Sequence, residues 1–325
     1  ASYVPRIINL FVVPIQLNIL TKNLTLENFG ILSMLMSTGY LVGLVFTFGL
    51  RKVLTVKVPG RSSFIQVSFF KSILLAEIVL YLVASACLYL LFLPWILELL
   101  NITQHKDTFF FLLTAFFFYM IYNEFGGFFV YQKRIELRMA FVAAEKIIEL
   151  ILIFWLLKIL EINSIKTILI GYSVFYLILC IGKLIVFRNW PLLRSVRLNK
   201  AALKYSFLFG FPILLTDISW KLMQNIDFYI LSYNNMKPEL GIYSYMSRII
   251  NYAYLAASPV IWVLYPYLAS SYKDEKFSLG SETKLFMNAQ LQYSLIFLLL
   301  ALSLFFLNFE QINELFAPRG FEPNL

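Results

Sequence analysis

Nine stretches of this chain each hold enough consecutive apolar residues to cross a bilayer as a helix. A hydrocarbon core of roughly 30 Å needs about 20 such residues. Read with that window, the spans fall at 3–21, 29–50, 72–92, 109–130, 141–160, 166–187, 206–232, 241–270 and 287–307. Polar residues and prolines interrupt the seventh and eighth. Composition agrees: 60 % of the 325 residues are hydrophobic and 14 % charged, against about 45–50 % and about 25 % in soluble domains. Too little polar surface remains to cover a water-soluble globule, and disorder requires the opposite bias. The expected fold class is all-α, a polytopic transmembrane helix bundle. Pro5 and Pro14 break the first span and no small-residue cleavage site follows it, so it does not read as a signal peptide.

Lysines and arginines alternate from linker to linker. The even linkers carry seventeen, among them Arg51, Lys52, Lys133, Arg134, Lys183, Arg194 and Lys273, and the odd linkers and tail carry six. Positive charge stays on the cytoplasmic side, so the even linkers and the N-terminus are expected there, in a multi-pass membrane protein. The net charge of +9 is accounted for by these runs, which hold orientation and touch anionic membrane lipids; it does not point to nucleic acid. The single histidine, His105, lies in a polar loop, and Cys87 and Cys180 lie in apolar runs as inert buried thiols. No catalytic residue, metal site or cofactor is expected.

Two short segments repeat. Gly30-Ile31-Leu32-Ser33 and Gly241-Ile242-Tyr243-Ser244 each open an inward-going helix, and the span before each carries a proline, Pro14 or Pro212. Spans one and seven share orientation, as in two parallel six-helix halves. The alternative is two similar interfacial turns. The expected organisation is a first bundle at 1–187, a basic linker at 188–205 and a partial second bundle at 206–325. The chain begins at Ala1 and stops after an odd ninth span, so the second bundle is expected to lack its last helices.

Ionisable residues inside spans are functional candidates by default, because a charge at the bilayer centre is costly. Span seven holds Asp217 and Lys221, spaced to share a helical face, with Gln224, Asn225 and Asp227 continuing a polar strip. They line a wet cavity or lock two helices as an ion pair. Arg248 lies seven residues past Gly241, roughly 10 Å into span eight. With no acidic residue at i±3 or i±4, it calls for an anion, from another helix or from a ligand phosphate. Arg6 can serve similarly or snorkel to the surface. Glu145, Lys146 and Glu149 cluster on span five, where a carboxylate can carry a coupling ion or close an interhelical pair. Glu77 and Glu124 are also intramembrane, and Gly126-Gly127 reads as close packing or a hinge. Kinks at Pro14, Pro212, Pro259 and Pro266 would give the helices somewhere to bend. Tyr243, Tyr245, Tyr252 and Tyr254 can stack on sugars or anchor at the interface.

Several segments resemble one family. Asn18 to Gly30, with Gly49-Leu50-Arg51-Lys52 after it, looks like the first periplasmic turn and second span of the polysaccharide-repeat-unit (O-antigen and capsule) flippases. Tyr205 to Pro212, Asp227-Phe228-Tyr229-Ile230-Leu231, Leu240 to Ser244 and Trp262 to Pro266 are similar to that family's seventh and eighth spans. The resemblance implies the multidrug/oligosaccharidyl-lipid/polysaccharide exporter superfamily, with two six-helix bundles around a central cavity. It implies a non-enzymatic transporter that moves an undecaprenyl-diphosphate-linked oligosaccharide between leaflets. Arg248, Lys221, Arg6 and Asn225 are then the expected substrate contacts, and Asp217, Glu149 and Glu145 the candidates for coupling to H⁺ or Na⁺. A polysaccharide polymerase and a chain-length regulator are the expected protein partners. The competing readings are a multidrug cation antiporter, a peptidoglycan-precursor flippase, and a membrane polymerase or ligase. The last would need a large outer loop with catalytic Arg or His, and the longest outer linker, 93–108, holds one His and one Lys.

Overall fold

A computed structural model describes residues 4–50, 63–131, 135–160, 164–188 and 199–251, together with a few isolated positions further on. Among the described residues all regular structure is helical. The helices are α1 (Val4–Asn23), α2 (Leu26–Thr47), α3 (Ser63–Cys87), α4 (Leu93–Leu99), α5 (Lys106–Tyr131), α6 (Ile135–Phe154), α7 (Ile165–Arg188) and α8 (Lys200–Tyr233), followed by α9 over residues 237–251. Five of these segments are both long and apolar enough to cross a membrane: Leu26–Thr47, Phe64–Leu99, Thr103–Phe129, Ile165–Phe187 and Ala202–Tyr233. α1 and α6 form in the places expected of spans one and five. The rest of span eight, Pro259 and Pro266, Tyr252 and Tyr254, the Trp262 segment and nearly all of span nine lie outside the described residues.

Local signals set the helix ends. Thr25 caps α2, its side chain accepting from the Asn28 backbone N–H at 3.2 Å, which satisfies one of the first-turn donors a helix leaves open. α2 ends at Phe48 and Gly49, both in the left-handed region at φ 52° and 66°. Asn199 caps α8 by accepting from Ala202 N–H at 3.1 Å, while its own N–H donates to Ser72 Oγ at 2.8 Å. That cap starts α8 six residues ahead of the expected span. α1 and α8 run through Pro14 and Pro212 without a break. Between α3 and α4 the helix widens into a π-helical segment at Leu88–Phe92, just ahead of Pro94, whose missing N–H shifts the hydrogen-bond ladder.

α5 packs most extensively on α7 and α1 on α6, while α2 lies against α5, α3 and α8. An aromatic cluster ties α3, α5 and α7 together: Phe70 meets Phe128 at 4.3 Å, and Phe187 meets Phe125 at 4.7 Å and Phe129 at 5.0 Å between ring centroids. Ile178, Ile181 and Ile185 on the outer side of α7 are exposed, as befits a face that meets lipid chains. Hydroxyls within the helices are satisfied locally. Thr21, Thr38 and Ser173 donate to carbonyls four residues back at 2.8–2.9 Å, which removes the cost of an unpaired polar group in hydrocarbon.

Two sequence readings need correcting. Lys183, grouped above with a basic linker, is 1 % exposed inside α7. Its ammonium donates to the Tyr122 carbonyl at 2.7 Å and sits 3.3 Å from the Tyr122 ring centroid. Gly126 makes that possible: a Cβ there would come within 3.2 Å of the ammonium. Close packing is therefore what this glycine provides. Cys87, read as buried, is exposed on α3; Cys180 is buried.

At both ends α2 approaches the second half of the chain closely enough for backbone to meet backbone. At the end carrying the α1–α2 turn, a Cβ on Gly30 would lie 2.7 Å from the Gly241 nitrogen, and one on Gly241 would collide with the Leu26 carbonyl. The two repeated Gly-Ile-x-Ser segments thus face one another. Around them Lys237 pairs with Glu27 at 3.2 Å, Asn101 Nδ2 donates to the Tyr233 carbonyl at 2.8 Å, and Ser232 Oγ donates to the Leu100 carbonyl at 2.6 Å. At the other end a Cβ on Gly49 would sit 2.6 Å from the Gly210 carbonyl oxygen, and one on Gly210 would sit 2.6 Å from that of Phe48.

Candidate functional site

Between these two junctions lies a cavity of about 300 Å³, walled by α2, α5, α6, α7, α8 and α9. The repeated segments explain part of it. Ser33 and Ser244 each follow a contact glycine by three residues, on the same helical face, and both line the cavity. The glycines bring the helices together; the serines put hydroxyls beside the space.

Five of the intramembrane polar and charged residues singled out in the sequence meet here: Lys221, Asn225, Arg248, Glu145 and Lys146. Arg248 Nη2 donates to Ser33 Oγ at 3.1 Å, and the guanidinium carbon stands 5.0 Å from the Phe29 ring centroid. Lys221 Nζ stands 4.9 Å from the Tyr40 ring centroid. Among the described residues neither cation makes an ion pair. The i, i+4 neutralisation of Lys221 by Asp217 does not form: Lys221 turns to Tyr40, and Asp217 is absent from the lining. Asn225 is buried, its side-chain amide donating to the Lys221 carbonyl at 2.7 Å.

On the facing wall the carboxylates divide the work. Glu149 accepts from Lys146 on its own helix at 2.8 Å and from the Tyr172 hydroxyl on α7 at 3.2 Å, so its ion pair is intrahelical and its link to another helix is a hydrogen bond. Glu145, also buried, is the lining carboxylate. Among the described residues the lining carries three cations, Lys146, Lys221 and Arg248, against Glu145, and this set stays positive when Glu149 is counted with Lys146. Glu149→Gln is expected to lower stability by about 1–3 kcal/mol, since it strips Lys146 of its charged partner. Thermal unfolding in detergent reads this, and adding Lys146→Gln recovers part of the loss.

Other candidates fall elsewhere. Tyr243 donates to Asp227 Oδ2 at 2.6 Å and Tyr245 is fully buried; neither is among the described residues lining the cavity. Glu77 and Glu124 are buried in the bundle away from the lining. The side chain of Arg6 on α1 lies outside the described part. Sequence reasoning missed Tyr40, Tyr119 and Tyr176, the lining tyrosines; in a chain with 20 tyrosines nothing local marks these three.

The model of one protein family, described as polysaccharide biosynthesis protein, matches residues 5–272. The chain belongs to this family. It is the family of the polysaccharide repeat-unit flippases that the motifs resembled, and the match runs from α1 past the last described residue of α9, taking in every described residue of the cavity lining. No curated protein matches the chain, nor does any solved structure. The protein is a helical membrane protein of a polysaccharide biosynthesis family.

Proposed function

We propose that the protein is a flippase. It moves an undecaprenyl-diphosphate-linked oligosaccharide repeat unit, of the O-antigen or capsule kind, from the cytoplasmic to the periplasmic leaflet of the bacterial inner membrane. Family membership supports the polymer. The observation that carries the substrate is the pair Lys221 and Arg248: two cations facing a cavity at membrane depth, resting on aromatic rings and a hydroxyl. Diphosphate oxygens offer both of them the charge-assisted hydrogen bonds that these partners do not, and Arg is suited to a forked grip on phosphate. Asn225, with Ser37, Ser244, Ser247, Tyr119 and Tyr176, supplies neutral hydrogen-bonding groups for a polar glycan.

In this cycle no bond is made or broken. The two halves part first on one side of the membrane and then on the other, around the glycine junctions at each end of α2. Glu145 and Glu149, with Asp217 further along α8, are the carboxylates available to carry H⁺ or Na⁺. A multidrug cation antiporter fits less well, because a cavity with three cations in its lining repels a cationic cargo. The test is polymer export from cells carrying Lys221→Ala and Arg248→Ala together. Export falls to background if the reading is right, and wild-type export by that double variant removes it.

A further inference from the structure

The resting partners of the two cations share one helix. Phe29, Ser33 and Tyr40 stand on α2 at spacings of four and seven residues, which places them on a single face. That face receives Arg248 from α9 and Lys221 from α8. We infer that this stripe of α2 is a competing seat for the cations, so that an anionic ligand binds only by drawing Lys221 off the Tyr40 ring and Arg248 off Ser33 and Phe29. Tyr40 and Ser33 are then positioning residues that set the affinity of the site without holding the ligand.

This rests on the anion-binding reading above and deepens it. A ring face attracts an ammonium more weakly than a phosphate does, so the seat yields to a diphosphate and holds against neutral sugar hydroxyls. It keeps the cations from binding each passing neutral glycan, and keeps them placed when the cavity holds no ligand. The affinity measured for a ligand is lowered by the fraction of protein whose cations are seated. Removing a seat therefore tightens binding, whereas removing an ordinary ligand contact weakens it. Tyr40 is the seat to test, because it is 40 % exposed and its ring is not needed to fill the core.

The experiment is calorimetric titration of inorganic pyrophosphate into the purified protein in lipid nanodiscs. Tyr40→Leu is expected to bind pyrophosphate about 2- to 30-fold more tightly than wild type, the range a cation–ring contact spans. Tyr40→Phe, which keeps a ring, stays near wild type, and Tyr40→Met serves as a second ring-free variant. In a Lys221→Gln background, Tyr40→Leu changes nothing, which a merely structural role for the ring would not produce. Wild-type binding together with unchanged or weaker binding by both ring-free variants overturns the seat and leaves the anion site standing. Absence of pyrophosphate binding by the wild type overturns the anion site, and the seat with it.

Discussion

Arg248→Ala is expected to leave less than about one-thirtieth of wild-type polymer export in a strain relying on this gene, with the protein still present in the membrane in normal amount. Truncating one partner of a buried, hydrogen-bonded charge pair costs about 2–5 kcal/mol of binding, which is a loss of about 30-fold or more. Without ligand, among the described residues Arg248 bonds a serine hydroxyl, rests on a ring and makes no ion pair, so removing it strands none of their carboxylates. Export and stability should therefore separate: export collapses while the unfolding temperature holds. Arg248→Lys retains the charge but loses the fork, and intermediate export is expected. Surface polymer measured beside membrane abundance gives both readings.

Gly241→Val is expected to be the most damaging single change to the fold. Its Cβ would enter the Leu26 carbonyl and crowd Leu26 Cγ. The carbonyl is main chain, so it cannot swing aside as a side chain could. The helices must part, which breaks the Lys237–Glu27 pair and the Asn101 and Ser232 hydrogen bonds that surround the contact. Overpacking alone costs about 1–3 kcal/mol, and the lost contacts add to it. A clear drop in unfolding temperature and a loss of export are both expected. Gly182→Ala is the control. A Cβ at Gly182 meets nothing within 4 Å, and alanine in a helix interior is better than glycine by about 0.5–1 kcal/mol, so stability should hold or rise.

Bilayer thickness explains what the sequence reveals. It sets the length of each apolar run, so the expected spans 29–50, 109–130 and 166–187 fall on α2, α5 and α7 to within a few residues. Helix ends are set by caps and interfacial polar residues instead. For that reason α8 begins at Lys200 under the Asn199 cap, six residues before its expected span. Charge counting mistook Lys183 for a linker residue because its partner, the Tyr122 carbonyl, is 61 residues away in the chain.

The site was legible in its charges and not in its contacts. A cation in an apolar run announces itself, which is how Lys221 and Arg248 stood out. What each cation rests on depends on α2, and Ser33 is 215 residues from Arg248. The i, i+4 rule offered Asp217 to Lys221 as a local partner, and Tyr40 on a different helix took its place. The Gly-Ile-x-Ser repeat was visible, but its purpose required knowing that Gly30 and Gly241 touch. Once they do, Ser33 and Ser244 reach the cavity by helical spacing alone.

The claim on which the account depends is that Lys221 and Arg248 grip the anionic link of a lipid carrier. Its most direct measurement is transbilayer movement of a fluorescent polyprenyl-diphosphate oligosaccharide in proteoliposomes, wild type against Lys221→Gln/Arg248→Gln, at matched protein density. The account predicts rapid movement with wild type and movement no faster than protein-free liposomes with the double variant. Equal rates for the two proteins would contradict it.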